Sequence, residues 1–488
     1  MSITPNFPHM DRSDVVIVGG GPVGLTLSIA LSRAGVSNTI IERDPNPYQL
    51  PRAIVMDAEI HRSLMNHGLG SRLSDLLEPL RAADFVSASG EHIMGIEIGE
   101  QRQFGLPPVC CHFQPELDAM LREVAVERGA TLLTGKDFVR FEESDGGVIA
   151  HLSDGSSVVG TWLVGCDGAS SAVRKQAGID LVDLKFDQDW LVVDVELNTR
   201  DSGNLPDVVR QICDPARPTT LVRGVKNYYR WEFQLQPGED KATMNTPDEI
   251  WRLLAQWISP NDATLVRSAV YRFHAVVAST MRKGSIFLAG DYAHQMPPFL
   301  GQGLNSGMRD AFNLAWKLAL VKDEVRGEAL LDTYSMERIP HSQSVVEHAA
   351  DMGRLIDQLA GRQSHGIDHN AGYGGARPQP KLVEGCVEGD HPWVGRVYNQ
   401  WHVVEPQHLG GTTWVIVANG QNVAEVLAAN GQNLESSLDI PVHVHVMSPS
   451  IAEDPAVVVV RPDGYVAAVS EHLSEIGVIV SRITGRVQ

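Results

Sequence analysis

The chain is poor in positive charge, in cysteine and in long apolar runs. Against 60 Asp and Glu it carries 40 Lys and Arg, a net charge of -20. The attraction that nucleic acid or an anionic membrane would need is therefore missing. Its five cysteines, Cys110, Cys111, Cys166, Cys213 and Cys386, are odd in number and contain no CxxC. That spacing supports neither a disulfide framework nor a zinc site, and reduced, buried thiols and no metal are expected. No apolar run is long enough to span a bilayer. The apolar stretch at 15–18 is too short for a signal peptide and ends in glycines, so a cytoplasmic location is expected. At 488 residues, 43% of them hydrophobic, the chain can bury a large core divided over two or three domains.

What is present is organised around residues 286–320, IFLAGDYAHQMPPFLGQGLNSGMRDAFNLAWKLAL. The pattern predicts a short buried strand at 286–289, a loop holding Pro297, Pro298, Gly301 and Gly303, and a long helix from about Leu304. Asp291 then stands at the carboxyl end of a strand, where open α/β sheets place their ligands. The glycines let backbone N–H groups approach a flat ligand, and the helix aims its positive end at the same place.

Near the start, a β-branched run at 14–18 leads into Gly19-Gly20-Gly21-Pro22-Val23-Gly24 and an apolar helix at 25–33. A second strand follows at 38–41, with Glu42 at its end. Strand, GxGxxG, helix, strand and acid in this order favour a dinucleotide site, with glycines against the pyrophosphate and the acid on ribose hydroxyls. A bare GxGxxG would not. Further on, a strand at 157–164 runs into Gly165-Cys166-Asp167-Gly168-Ala169-Ser170-Ser171, with Arg174 on the next turn. Ser170 or Ser171 suits a helix cap, while Asp167 with Arg174 suits sugar hydroxyls or phosphate.

A helix is predicted at 55–67, closed by Gly68, and another at 116–127. Arg52 is either a solvated residue at a helix start or a ligand contact; Gln114 is either a cap or a ligand contact. Residues 181–273 read as strand-rich, an antiparallel sheet inserted between pieces of the first domain to wall a cavity. Trp231, Phe233, Tyr228 and Tyr229 lie there as pocket surface or as core. Arg217 or Arg230 is a bidentate clasp for a substrate carboxylate or else a structural charge. His294 either orients a ligand or packs. A helical run at 328–359 should kink at Pro340, residues 361–380 form a Gly- and Pro-rich linker, and 381–488 read as a small α/β domain with one helix near 422–429. His443 and His445 alternate on one of its strands, a weak hint of metal against an ordinary core.

The three motifs GGGPVG with Glu42, GCDGASSAVR and AGDYAHQMPPFLGQGLN resemble, in this order, the single-component flavoprotein aromatic hydroxylases. The resemblance spans roughly residues 13–350, in the phenol hydroxylase branch. FDQDWLVVDVEL, QICDPARPTT, RWEF and RPDGYVAA are most similar to the 3-(3-hydroxyphenyl)propionate hydroxylase group. It implies a Rossmann-like FAD-binding domain (1–180 and 276–360), a substrate-binding β-sheet domain (181–275) and, after the linker, a thioredoxin-like C-terminal domain (381–488) lacking CxxC.

It further implies bound FAD, transient NADPH or NADH, O2 and a small phenolic substrate hydroxylated through a flavin C4a-hydroperoxide; the C-terminal domain suits a structural or dimer-forming role, which makes a homodimer one open assembly. Gly19, Gly21, Gly24 and Glu42 would hold the ADP part of FAD. Arg52 and Gln114 would reach the cofactor, and Asp167 would lie near flavin and nicotinamide. Asp291 would bind the ribityl chain, and Pro298, Gly301, Gln302, Gly303, Leu304 and Asn305 would line the isoalloxazine. His294 and Pro298 stand as catalytic candidates; Arg217, Arg230, Trp231 and Phe233 stand as substrate contacts. The chain departs from the branch at Ile54, where phenol hydroxylase carries an aspartate base, so the base lies elsewhere or is absent. The single GxGxxG agrees with one resident cofactor and one visitor. Other readings are a flavin oxidase, dehydrogenase or halogenase, though the lysine-bearing halogenase motif is missing, and a non-catalytic flavin-binding redox sensor.

Overall fold

A computed structural model describes residues 11–97, 102–144, 146–168, 171–199, 203, 205–362, 380–399, 409–419, 439–447, 455–471 and 475–485. Ser170, most of the expected linker and the helix expected near 422–429 lie outside these residues.

The first layer is a sheet whose parallel core runs in the order Ile286–Leu288, Ser157–Gly165, Asp11–Val18, Asn38–Glu42, Thr131–Thr134. Val15, Val16, Ile17, Ile40, Leu163 and Val164 are wholly buried, as β-branched runs covered on both faces should be. Because these strands are parallel, their carboxyl ends share one edge. Gly19, Glu42, Asp167 and Asp291 are far apart in sequence, yet all stand just past that edge.

Two helices pack on this sheet. One spans Pro22–Arg33, with proline in its first turn, where the missing N–H costs nothing. The other spans Gly303–Lys322 and is buried along nearly its whole length. They cross so closely that a Cβ at Gly307 would come within 2.5 Å of the Val23 side chain. The 55–67 segment differs from expectation. Val55–Asp57 is a strand paired with Val109–Cys111, and the helix begins only at Ala58, where the Asp57 carboxylate caps the Ile60 N–H at 3.0 Å. Apolar spacing alone did not distinguish a three-residue strand from the first helical turn.

The second layer is an eight-stranded sheet. Its long strands Leu181–Leu197 and Ala263–Ala278 pair antiparallel, and Tyr228–Gln234 and Thr219–Arg223 continue it. It also recruits Ala82–Ser87 and His92–Glu97 from the first part of the chain, plus His294–Gln295 from the organising stretch. An Arg210–Asp84 fork fastens the recruited strand. Ala329–Leu359 is a single helix that runs through Pro340.

Near the C-terminus, Val442–Met447, Trp414–Asn419, Val457–Val460 and Val466–Ser470 form a four-stranded sheet in that order, with only the first pair parallel. It meets the rest of the molecule through buried charge. Lys317 Nζ and Arg461 Nη2 each donate to Glu337 Oε2 at 2.8 Å, and Arg461 also grips Asp463. Burial alone would raise the Glu337 carboxyl, but Arg461 and Lys317 overturn that and hold it below the ordinary range. Beside this cluster, Tyr465 Oη donates to Glu59 Oε1 at 2.8 Å.

Candidate functional site

The carboxyl edge of the parallel sheet opens into a cavity of about 1430 Å³ that continues under the second sheet. Gly19, Gly20, Gly21, Glu42, Arg52, Gln114, Asp167, Asp291, Pro298, Gly301, Gln302, Gly303 and Leu304 all line it.

At the first turn, Gly19 sits at φ +110, and a Cβ there would fall 2.1 Å from the Cys166 carbonyl oxygen. Only glycine fits. A Cβ on Gly21 would meet nothing within 4 Å, so open space lies in front of the helix N-terminus. Gly24 is not part of the lining. It faces inward, where a Cβ would lie 2.1 Å from the Gly19 carbonyl oxygen, and its contribution is close packing of helix on strand. Glu42 closes the side of the turn, accepting from the Gly20 N–H at 2.6 Å and the Asp44 N–H at 2.8 Å.

Asp167 accepts from Ser171 Oγ at 3.1 Å and from the Ala172 N–H at 3.0 Å. Burial raises its carboxyl to about 6 despite those bonds. Arg174 turns away and donates to the Ile179 carbonyl at 2.8 Å, so it does not join Asp167 on a ligand. Gln114 bridges rather than caps: it accepts from the Ala53 N–H at 2.7 Å and donates to Asp118 at 3.1 Å. Burial pushes Asp118, also in the lining, up to about 7. The Arg52 guanidinium stacks 4.2 Å over the Tyr48 ring.

Asp291 is open to the cavity, and desolvation by the surrounding protein raises its carboxyl above the usual range against the opposing pull of His294 and Arg52. It accepts no hydrogen bond from any described residue. Its backbone neighbour Gly290, at φ +76, is held by Asp310, whose Oδ2 accepts from the Gly290 N–H at 3.0 Å and pairs with His294 Nε2 at 2.7 Å. Asp310 Oδ1 takes Arg338 Nε at 2.7 Å. His294 has no exposed surface and is absent from the lining. The expectation that it touches a ligand is therefore corrected: its ring is a strut behind the loop. Asn305 is likewise wholly buried, accepting from the Asp57 N–H at 3.0 Å and donating to the Gly301 carbonyl at 2.7 Å. It shapes the glycine loop from behind.

The substrate candidates divide by strand periodicity. Along Tyr228–Gln234 alternate side chains point to opposite faces. Trp231 and Phe233 go to the far face, into a core with Leu191, Leu254 and Trp257, and the expectation that they contact substrate is corrected. Arg230 and Glu232 face the cavity. Arg230 is no free clasp: its Nε and Nη2 grip Asp194 at 2.7 and 3.1 Å, and its Nη1 donates to the Arg52 carbonyl at 2.6 Å. Arg267 ties the Pro51 carbonyl to the same aspartate. Arg217 lies outside the lining, paired with Glu239 and the Gln234 carbonyl, which corrects its assignment as well.

Residue patterns did not single out Asp57, Glu59, Arg309 and Asp310. Arg309 donates to Glu59 at 2.8 Å and to Gln302 at 3.0 Å, and also bonds Asp57. It links the glycine loop to the C-terminal sheet through Tyr465. One signal was available for such residues: charges inside otherwise apolar runs, such as Asp194 within LVVDVEL, are buried only when paired.

A family model described as FAD binding domain matches residues 12–349. The chain is 32% identical over 97% of its length to a probable NADH-specific resorcinol 4-hydroxylase of Rhodococcus jostii (strain RHA1), covering 95% of that protein. It is 36% identical over 72% of its length to the 3-(3-hydroxy-phenyl)propionate/3-hydroxycinnamic acid hydroxylase of Comamonas testosteroni, spanning only 60% of that relative. Among solved structures, the flavin-dependent monooxygenase PieE in complex with FAD and substrate matches at TM-score 0.82 and 22% identity, covering 99% of this chain and all (100%) of that one. A ternary complex of aklavinone-11 hydroxylase with FAD and aklavinone matches with the same TM-score of 0.82 at 24% identity and the same coverage. These two likenesses speak to fold.

Proposed function

Because this chain belongs to the FAD binding domain family, we propose that the cavity takes FAD along the carboxyl edge of the parallel sheet and a phenol under the second sheet. On this reading it is a NAD(P)H- and O2-dependent aromatic-ring monooxygenase.

The residues fit the cofactor. The space before Gly21 and the N-terminal end of the Pro22–Arg33 helix suit a pyrophosphate, and Glu42 suits the ribose beside it. Asp291, a carboxylate aimed into the cavity without a donor among the described residues, suits the hydroxyls of the ribityl chain. The hydroxyl of Tyr292, without a hydrogen-bond partner among the described residues, lies in the same wall. Gly301, Gln302 and Gly303 present backbone at the start of the Gly303–Lys322 helix, whose positive end favours anionic charge on a ring held there. When bound, FAD supplies the electrons taken from NAD(P)H and the activation of O2 that inserts one oxygen atom into the ring.

The remaining work falls to the chain itself. Arg230 and Arg267 anchor the Pro51–Arg52 carbonyls to the second sheet and so close one side of the chamber. The sheet and the Ala329–Leu359 helix exclude water from it, and Pro298 lies in the cavity wall. We divide the chain accordingly into a cofactor body (1–180 and 276–360), a substrate sheet (181–275, joined by the 82–97 hairpin) and a C-terminal unit of thioredoxin-like kind. The supply of NAD(P)H agrees with a cytoplasmic setting.

The observation that carries this reading is that three sequence-distant motifs converge on one strand edge, and their cleft opens directly into the sheet-walled chamber. Mixing the yellow protein with NADH or NADPH, air and a panel of phenols tests it. Substrate-stimulated nicotinamide oxidation with a product heavier by one oxygen atom is expected; peroxide alone would indicate an oxidase, and no flavin reduction a sensor.

A further inference from the structure

The chamber end of the cavity holds one carboxylate that nothing above employs. Glu232 lies on the inner face of the Tyr228–Gln234 strand, between Val192 and Thr220 on the neighbouring strands, all three in the lining. It is 5% exposed, and no described residue donates a hydrogen bond to it. The nearest cation, Arg230 Nη1, is 3.9 Å away and is already committed to Asp194 and to the Arg52 carbonyl. Thr220 gives its hydroxyl to Gln211 at 2.6 Å, so it does not serve Glu232 either. Val222, Phe273, Phe299 and Met352 add apolar surface to the same cavity.

A buried acceptor without a donor is costly unless something arrives to satisfy it. From this placement, and resting on the hydroxylase reading, we infer that Glu232 accepts the hydroxyl proton of the phenolic substrate and selects an uncharged hydroxybenzene over a phenol bearing a carboxylate. The substrate O–H bond breaks, the proton passes to a Glu232 oxygen, and the electron pair stays on the phenolate, enriching the ring. The same proton returns to a product oxygen, so no external acid or base is consumed. Burial and the Asp194 charge, opposed by Arg230, bring the Glu232 carboxyl up to about 7, a value suited to exchanging a proton near neutrality.

Selection against a carboxylate follows from the same geometry. A second anion beside Glu232 in a low-polarity chamber is repelled. The two cations on this side, Arg230 and Arg267, are held by Asp194 and the Pro51–Arg52 carbonyls and cannot turn to compensate. The charged groups facing Glu232 are Arg230 from its own strand and Asp194 from Leu181–Leu197, with Arg267 behind Asp194; the Ala329–Leu359 helix presents Met352 and Ile356.

The test uses the holoenzyme. Wild type, Glu232→Gln and Glu232→Asp are compared with resorcinol from pH 5.5 to 9, following nicotinamide oxidation and product together. Binding of resorcinol and of 3-(3-hydroxyphenyl)propionate is read from the flavin spectrum. Wild-type kcat is expected to rise with pH through an ionisation near 7. In E232Q that limb should vanish and product formation should fall about 100-fold or more, within the range of general base contributions; E232D should keep the limb. Wild type should bind resorcinol at least about tenfold more tightly than the propionate, a difference of about 1.4 kcal/mol. An E232Q enzyme with wild-type kcat and pH limb overturns the inference, and so does equal or tighter binding of the propionate. The binding comparison needs only wild type, so a variant that loses flavin does not remove it. Absence of hydroxylated product from wild type with every phenol would instead bring down the functional reading itself.

Discussion

Replacing Asp310 with asparagine isolates what holds the organising loop in place. The side chain is fully buried and serves three donors: the Gly290 N–H, His294 Nε2 and Arg338 Nε. Burial alone would raise its carboxyl, but His294 and Arg338 reverse that and lower it. An amide has one oxygen to offer. With the oxygen toward Gly290 and His294, its NH2 confronts Arg338; with the oxygen toward Arg338, the NH2 confronts the Gly290 N–H. In either rotamer one donor faces another, and buried Arg338 loses its only carboxylate within ion-pair distance among the described residues. Breaking a buried pair in this way costs about 3–5 kcal/mol. If the molecule unfolds as one unit, an entropy of about 2.1 cal/mol/K per residue turns that loss into a fall in Tm of about 3–5 °C. If as little as a third of the cost falls on Gly290 and Asp291, FAD binding weakens by about tenfold. Thermal melts of apo- and holoprotein, with FAD dissociation followed by fluorescence, measure both. A D310N protein that melts within about 1 °C of wild type and keeps wild-type FAD affinity would refute the claim that this carboxylate holds the loop.

Gly24→Ala should yield protein that folds but leaves gel filtration without flavin absorbance, because the added methyl needs the space of the Gly19 carbonyl. Arg217→Ala should leave KM for a phenol unaltered and cost no more than about 1 kcal/mol in a denaturant melt, as expected for a peripheral ion pair. The apoprotein should lose stability as pH rises from about 4 toward 7. Asp118 at about 7, Asp167 at about 6 and Glu232 at about 7 hold protons more tightly folded than unfolded. Their contribution is complete below the unfolded carboxylate value and is lost as pH passes through these folded values. Melting apo wild type and Asp118→Asn across that range checks this, the variant giving the shallower slope.

The cofactor cleft was legible in the sequence because its signals are local. Glycines that only φ or close approach can explain, and acids at strand ends, report their surroundings within a few residues. The chamber was less legible. Arg230 was named, but not that Asp194, 36 residues earlier, would absorb it. Trp231 and Phe233 attracted attention for their rings, although alternation along the same strand excludes them from Arg230's face. Glu232 lay between them and was passed over. His294 illustrates the same limit: its closeness to Asp291 in sequence suggested a ligand, whereas a helix-borne partner at position 310 turns it inward. Side chains whose role is set by a partner on another element are fixed by tertiary packing, which neither period nor propensity encodes.

The buried charges around Glu337 bear on how far this chain can be shortened. A fragment stopping at residue 349, where the family match ends, would strip Arg461 from Glu337 and Asp463 from Asn313, and Tyr465 from Glu59. Water would then reach the back of the helix whose opposite end carries the glycine loop, with Trp316 uncovered beside it. The last hundred residues are thus no detachable appendage: a minimal catalytic core trimmed to the recognised segment should come off the ribosome sticky and colourless.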